Sequence, residues 1–284
     1  MKKYEIKKAG KDFKFVQKEP IVRGSRKKIL VTNNKNEMAM FKYEREDYDC
    51  SEACSERIAY ELAKILGFEC AKIDLAFDNN GKIGVLNYYF SDRFTAVHTD
   101  IVAYLNKDSS ERNKYYTISN IKAVLDDINP SLFRGFVRIM VFDALIGEQD
   151  RHEENWGILE KEGIFSISPL YDNGDSLLRE FRNLNNAQKY YYGIKDFNAY
   201  IMRSKTIIYK ENNKDRYRHF ELIKYLTENF PELVYPEIEK MKLLTDEKIE
   251  NIVNKIPNEL MTKEHKKYII YYLKRRRDIL LSIK

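Results

Sequence analysis

The sequence predicts an α+β protein with two lobes. A small antiparallel β lobe with one helix is expected over residues 1–90, and a larger, mainly helical lobe over residues 91–284. Three observations lead to this prediction. Short apolar runs separated by turn residues occupy most of the first ninety positions. Residues 132–145 and most of the chain after residue 216 show helical apolar spacing. A chain of 284 residues is long enough for one large domain or two lobes.

The composition narrows the class of protein. No apolar run reaches the length of a membrane span, and the first residues lack the apolar core of a signal peptide. A cytoplasmic protein is therefore expected, with an exported effector as the alternative. The three cysteines form neither a disulfide framework nor a zinc pattern. The net charge of +6 comes from 50 basic and 44 acidic residues, a mixed surface that suits a nucleotide phosphate or an acidic partner.

The small lobe is predicted to open with two strands, residues 28–32 and 38–43, joined by an Asn-rich turn. In the second strand, period-two alternation places Lys42 on the same face as two methionines. A lysine in that position can extend from an apolar floor toward a phosphate group.

A helix is predicted over residues 51–66, because apolar residues form one broad face and Gly67 can stop it. Glu56 falls at the rim of that face, where its carboxylate can reach the neighbouring sheet. Glu52 lies one turn earlier on a similar bearing. A glutamate in the first turn can also serve only to favour the helix dipole.

Two further strands, residues 71–77 and 82–90, complete the predicted small lobe. By position alone, the end of the second strand is the expected connection to the larger lobe.

In the larger lobe, residues 132–145 are apolar nearly all round, which predicts a buried helix ended by Gly147. After it, residues 156–159 and 164–168 read as a β-hairpin with a four-residue loop. A hairpin returns the chain beside its own start. Asn155, before the first strand, and Asp172, after the second, are therefore expected at the same end. Their oxygens are the hard ligands that Mg²⁺ takes together with phosphate oxygens.

Asp150 lies five residues before Asn155, the spacing between the catalytic Asp and the metal-binding Asn of protein kinases. The D-R-H-x-x-N run that begins at Asp150 is followed by the hairpin and by S-P-L-Y-D-N-G at residues 168–174. Together these motifs resemble the HipA-like serine/threonine kinases. Phosphatidylinositol kinases share the first motif, and the combination is the more specific feature.

The resemblance implies a two-lobed protein-kinase-like fold. It also implies transfer of the γ-phosphoryl group of ATP, with Mg²⁺, to a protein Ser or Thr hydroxyl, with autophosphorylation. Asp150 would orient the hydroxyl and accept its proton, while Asn155 and Asp172 would hold Mg²⁺. Lys42, fixed by Glu56, would hold phosphate oxygens.

The resemblance assigns further positions. His152 would brace the loop by hydrogen bonds rather than act as a base. Gly24 and Ser25 occupy the place of the loop above the phosphates, although one glycine stands where kinases have three. Ser25 resembles a regulatory phosphorylation site, and a serine in an ordinary turn is the alternative. Tyr88 and Tyr89 would contact adenine.

Other functions stay open at this point. The same residues would serve a small-molecule or lipid kinase, or a nucleotide-binding pseudokinase. A nucleic-acid-binding regulator would use the basic run at residues 274–277, which is expected instead to be the solvated face of a terminal helix. The expected partners are a protein substrate and an antitoxin-like protein, with no membrane and no direct nucleic-acid contact.

Overall fold

The computed structural model describes residues 2–16, 21–23, 26–45, 52–90, 96–105, 111–178, 188–189, 193, 196–211 and 214–283. The strands are β1 (Ile6–Lys8), β2 (Lys14–Phe15), β3 (Ile21–Arg23), β4 (Arg26–Thr32), β5 (Met38–Tyr43), β6 (Ile73–Phe77), β7 (Ile83–Tyr88), β8 (Val97–Asp100), β9 (Gly157–Lys161), β10 (Ile164–Ile167), β11 (Lys205–Tyr209) and β12 (Arg216–Arg218). The α-helices are α1 (Glu52–Leu66), α2 (Arg112–Tyr115), α3 (Ile118–Ile128), α4 (Leu132–Ile146), α5 (Phe197–Arg203), α6 (His219–Asn229), α7 (Pro231–Glu239), α8 (Asp246–Asn254) and α9 (Lys263–Leu281).

The chain forms two compact units. The first unit comprises Met1–Phe90, Asp172–Lys195 and Thr245–Tyr271, and the second comprises Ser91–Tyr171, Asp196–Leu244 and Tyr272–Lys284. One boundary between the units falls between Phe90 and Ser91, and the predicted division into lobes over residues 1–90 and 91–284 stays a prediction. Two later segments group with the first unit because they contact its elements, as in the hydrogen bond from the Tyr4 N–H to the Lys255 carbonyl (2.8 Å).

The first unit is built on a sheet with strand order β1-β6-β7-β5-β4-β2, and β3 also pairs with β4. The four strands from β6 to β4 are antiparallel, as the sequence predicts. At one edge β1 runs parallel to β6, with Ile6 opposite Leu75. This pairing joins segments far apart in the chain, and no local pattern indicates it.

Alternate residues of the central strands share one apolar core, which explains the two-residue period of the sequence. The buried members include Ile29 and Val31 of β4, Ala39 and Phe41 of β5, and Leu86 of β7. Full burial of each of the larger side chains, Ile, Val, Phe and Leu, contributes about 1.5–3 kcal/mol to the stability of the fold.

Helix α1 buries the apolar face that the sequence predicts, including Ile58 and Leu62. The Glu44 carboxylate accepts hydrogen bonds from the N–H groups of Glu52 and Ala53 at its start. An anion in this position satisfies helix N–H groups that have no partner within the helix. The helix ends where Gly67 adopts a left-handed conformation.

In the second unit, α4 is buried along most of its length, as predicted. It ends at Gly147, whose φ is +71° and whose N–H donates to the Asp143 carbonyl (2.7 Å). A Cβ added at Gly147 would lie 1.9 Å from the Tyr272 hydroxyl oxygen. Both the left-handed backbone and the close approach of Tyr272 therefore require glycine here.

The predicted hairpin is present as β9 and β10, and β8 extends it to three strands. Its loop is shorter than the four residues expected. Glu162 and Gly163 alone make the turn, with φ of 53° and 77°. Positive φ at both positions is typical of a two-residue turn that matches the twist of the strands.

The expectation of a solvated basic face at residues 274–277 is wrong for Arg276, which is fully buried in α9. The Arg277 side chain is also mostly covered and donates to the Leu244 carbonyl (2.7 Å). Among the described helices, none combines the length and apolar character needed to cross a bilayer. The predicted α+β fold class, with a β sheet and a helical portion, is confirmed. The first unit holds more than the one helix expected, because α8 and the start of α9 group with it.

Candidate active site

Lys42 lies on β5, a central strand of the first unit, between β4 and β7. Its ammonium nitrogen is 3.8 Å from Oε1 of Glu56 and 3.3 Å from Oδ1 of Asp172. The Lys42 side chain is 8% exposed and that of Glu56 is fully buried. The fold therefore gathers a lysine and two carboxylates from a strand, a helix and a later segment of the chain.

Glu56 also holds the segment that follows Asp172, since its Oε2 accepts the main-chain N–H of Asn173 (3.1 Å). Glu52, one helical turn earlier, pairs instead with Arg45, whose Nε lies 3.4 Å from Oε1 of Glu52. The structure thus brings Glu56, which the family resemblance assigns as the partner of Lys42, to that lysine. Its role as the partner that positions a phosphate-binding lysine stays a prediction.

Asp172 adopts a left-handed backbone conformation, with φ of 55°. This region is uncommon for residues other than glycine, and aspartate tolerates it better than most. Such positions are held only where surrounding contacts determine them, and they cluster at functional sites. Here the contacts include the ion pair to Lys42 and the hydrogen bond from Asn173 to Glu56.

In the second unit, Asp150 and Asn155 lie on the loop between α4 and β9. The Asn155 side-chain Nδ2 donates to the main-chain carbonyl of Asp150 (2.8 Å). Because a carbonyl can only accept, this contact identifies the amide end that faces Asp150. Oδ1 is then the end of the Asn155 side chain that can act as a metal ligand.

His152 contributes to the same loop. Its main-chain N–H donates to the Asp150 carbonyl (2.7 Å), and its Nδ1 accepts the N–H of Glu154 (3.1 Å). These are the contacts that a bracing role requires. The role itself stays a prediction.

Arg151, for which the sequence predicts no role, lies on the same loop. It is buried and donates to both carboxylate oxygens of Asp143 on α4, with a shortest distance of 2.9 Å. It also donates to the carbonyls of Asn155 (3.2 Å) and Tyr171 (2.6 Å). Burial raises the pKa of the Asp143 carboxyl, and the Arg151 guanidinium opposes that rise. An arginine beside a functional aspartate, with an acidic residue in a buried helix nearby, is the feature that could have predicted the pair.

The remaining predicted positions are less informative. The N–H of Tyr88 donates to the Lys72 carbonyl (3.0 Å) and that of Tyr89 to the Met38 carbonyl (3.2 Å). Both donors are thus engaged within the first unit, and the adenine contact stays a prediction. Gly24 and Ser25 lie outside the described residues.

The residues present suit Mg²⁺ held jointly with phosphate. Among the described residues, no cluster of three or more His, Cys, Asp or Glu side chains could hold a metal by itself. Mg²⁺ in phosphoryl-transfer sites uses one or two protein oxygens and completes its shell with phosphate and water. The Asp172 carboxylate of the first unit is a ligand of that kind, and so, considered by itself, is the Asn155 amide oxygen of the second unit. Their joint use of one ion stays a prediction.

Comparison with known proteins identifies the class. The family described as HipA-like C-terminal domain matches residues 21–184, and the chain belongs to this family.

Among curated relatives, the chain is 26% identical over 185 residues to the serine/threonine-protein kinase CtkA of Helicobacter pylori (strain J99 / ATCC 700824). The match covers 62% of this chain and 53% of CtkA, so it spans about half the length of that relative. The crystal structure of the H. pylori proinflammatory kinase CtkA matches with a TM-score of 0.79, 21% identity and 95% coverage of both chains. HipA from the Shewanella oneidensis MR-1 complex with HipB and operator DNA matches with a TM-score of 0.56 and 12% identity, over 93% of this chain and 65% of that one. At these identities the structural matches establish a shared fold, and it is the fold of kinases.

Proposed function

We propose that this chain is a serine/threonine protein kinase of HipA-like type. It transfers the γ-phosphoryl group of ATP, with Mg²⁺, to a protein hydroxyl and phosphorylates itself. The observation that carries the proposal is the buried Lys42 ammonium held between Glu56 and Asp172. A lysine fixed in this way is suited to phosphate oxygens, and membership of a family with relatives named as kinases supports the same chemistry.

In the proposed reaction each residue has a separate task. Lys42 binds phosphate oxygens, and Glu56 keeps its ammonium group in place. Asp172 and the Oδ1 of Asn155 supply metal ligands. When bound, Mg²⁺ would neutralise charge on the phosphate oxygens. Most of the rate enhancement then comes from placement and charge stabilisation.

Asp150 is the proposed base. As the substrate hydroxyl oxygen forms its bond to the γ-phosphorus, the proton of that hydroxyl passes to the Asp150 carboxylate. The bond between the γ-phosphorus and the bridging oxygen breaks, and ADP leaves with that electron pair. The Asp150 carboxylate needs a fixed main chain for this task, which the hydrogen bonds from Asn155 and His152 support.

Radiolabelled ATP with Mg²⁺ tests the proposal. Wild-type protein should carry label on Ser or Thr, and the Asp150→Asn and Asp172→Asn variants should lose it. Asp127→Asn is the matched control, because it makes the same charge change at an exposed position of α3 and should keep the label. Equal labelling of Asp150→Asn and wild type would contradict the proposal. Label found only on an added sugar, nucleoside or inositol would favour a small-molecule or lipid kinase instead.

The relatives also suggest a partner. HipA of S. oneidensis is found in a complex with HipB and operator DNA. An antitoxin-like protein is therefore a proposed partner of this chain. Co-purification with proteins encoded beside it tests this, and purification of the chain alone from its native cells would contradict it.

A further inference from the structure

The inference starts from Arg276, the fully buried arginine of α9. Its Nε donates to the carbonyl of Ala144 (2.7 Å), and its Nη1 donates to Oγ of Ser204 (2.8 Å) and to the Tyr272 hydroxyl (3.0 Å). The guanidinium also lies 4.8 Å from the ring of Phe220. Within the described residues its hydrogen-bond acceptors are thus neutral oxygens. Burying a guanidinium is costly, and the hydrogen bonds from Nε and Nη1 to these oxygens offset part of that cost.

Ser204 connects Arg276 to a buried histidine at the start of α6. Nδ1 of His219 lies 2.9 Å from Oγ of Ser204, and Nε2 lies 2.7 Å from the carbonyl oxygen of Glu148. Burial lowers the pKa of His219 to about 3, and the charge of Arg276 acts in the same direction. The ring is therefore neutral at pH 7 and carries one N–H.

The partners determine which nitrogen carries that proton. A carbonyl oxygen can only accept, so Nε2 is the donor to Glu148. The Ser204 hydroxyl has two acceptors within reach, Nδ1 of His219 (2.9 Å) and the Ile201 carbonyl (3.1 Å). Because Nδ1 carries no proton, the hydroxyl proton must point to it, while the Ser204 oxygen accepts from Arg276. Nδ1 also lies 3.2 Å from the Ser204 carbonyl, which already accepts the His219 main-chain N–H (3.0 Å). The donors run in one direction, from Arg276 through Ser204 and His219 to Glu148.

Glu148 brings this chain of hydrogen bonds to the functional loop. It directly follows Gly147 at the end of α4, is buried, and donates its N–H to the Asp143 carbonyl (3.1 Å). Its Oε1 accepts the main-chain N–H of Asp150 (2.9 Å). Glu148 is thus held at its carbonyl by His219 and holds Asp150 with its side chain.

We propose that Arg276, Ser204, His219 and Glu148 form a relay of positioning residues that fixes the main chain of Asp150. This rests on the proposed function, in which Asp150 is the base. Asp150 is half-buried, and the position of its main chain sets where its carboxylate can reach. Small misplacements of a reacting group cost large factors in rate, and a buried relay anchored in α6 and α9 prevents them.

Variants of His219 test the relay. His219→Leu removes both ring nitrogens, whereas His219→Gln keeps an N–H that can donate to the Glu148 carbonyl. The matched control is Thr227→Val, also on α6, because it removes another buried hydrogen bond, from Thr227 to the Ile223 carbonyl (2.8 Å). Ser204→Ala removes only the hydroxyl between Arg276 and His219. It replaces His219→Leu as the test of the relay if His219→Leu does not fold.

Hydrogen exchange of the Asp150 main-chain amide is the first measurement. Exchange in His219→Leu should be faster by about tenfold, the effect of losing one net hydrogen bond. His219→Gln should return exchange to within about threefold of wild type, and Thr227→Val should leave it unchanged. Equal exchange in His219→Leu and wild type would overturn the relay. If His219→Leu does not fold, unchanged exchange in Ser204→Ala would do so.

Kinase measurements separate the relay from the proposed function. His219→Leu should lower kcat by between about 10- and 100-fold while the Kd for ATP changes by less than about twofold. Faster amide exchange without a loss of kcat would overturn the positioning role. If wild type transfers no phosphate while amide exchange follows the pattern above, the relay holds Asp150 as described and the proposed kinase function fails.

Discussion

The ion pair between Arg151 and Asp143 gives a quantitative test of how the functional loop is held. Both side chains are about 3% exposed, and the guanidinium also donates to the carbonyls of Asn155 and Tyr171. Removing one partner of a buried pair leaves the other charge without compensation. Arg151→Met should therefore lower the free energy of unfolding of the second unit by about 3–5 kcal/mol.

Replacing both partners should have a smaller effect on stability. The double variant Arg151→Met, Asp143→Leu removes both charges of the pair, so neither is left buried without its partner. Most of the free energy of unfolding lost in Arg151→Met should therefore return. Activity should not return, because the carbonyls of Asn155 and Tyr171 still lack their donor and Tyr171 directly precedes Asp172. Stability and activity are thus expected to separate in the double variant.

Urea unfolding followed by tryptophan fluorescence is a suitable assay. Trp156 is the chain's single tryptophan, is buried in the second unit, and donates from Nε1 to the Tyr116 hydroxyl (2.7 Å). That hydroxyl donates to the Arg151 carbonyl (2.8 Å), so the probe reports on the neighbourhood of the pair. Two results would contradict the assignment of a buried, coupled pair. One is a decrease in the free energy of unfolding below about 1 kcal/mol in Arg151→Met, and the other is a double variant less stable than either single variant.

Three other predictions follow from the same structure. The unfolded chain protonates His219 below pH 6.5 and the folded chain only near pH 3, so this group lowers stability as the pH falls between these values. The stability advantage of wild type over His219→Gln should therefore shrink by about 2 kcal/mol from pH 7 to pH 5 in urea unfolding, and a constant difference would contradict it. Gly147→Ala should lower the free energy of unfolding by at least about 1–2 kcal/mol in the same assay, because the alanine Cβ would clash with the Tyr272 hydroxyl. A variant as stable as wild type would contradict that clash. Glu56→Gln should lower kcat/KM for ATP at least about tenfold and Glu52→Gln less than about threefold, and equal effects would remove the assignment of Glu56.

Local patterns in the sequence predict much of the fold. The alternation around Lys42 and the helical face of α1 agree with the structure because each reflects burial of one side of a single element. The end of α4 at Gly147 is also local, since it depends on the conformational freedom of one residue. Motif spacing in the same way identifies Asp150 and Asn155 as residues of one loop.

The features that were not predicted depend on residues distant in the chain. A basic run indicates a solvated helix face, yet Arg276 is buried because carbonyl and hydroxyl oxygens of α4 and the segment after α5 accept its hydrogen bonds. No local pattern in the sequence supplies those acceptors. The parallel pairing of β1 with β6 is likewise a long-range contact. His219 becomes a functional candidate only when its hydrogen-bond partners, Ser204 and Glu148, are known.

Calorimetry of Mg²⁺-ATP binding tests most directly the claim that Lys42, held by Glu56 and Asp172, is the phosphate-binding residue. Wild type should bind with a Kd between about 1 µM and 1 mM, the range in which the KM values of enzymes usually fall. Lys42→Met should bind at least about tenfold more weakly, while Asp150→Asn should bind within about threefold of wild type, because Asp150 is assigned to the hydroxyl and not to the nucleotide. No binding by wild type at millimolar ATP, or equal binding by Lys42→Met and wild type, would contradict the account.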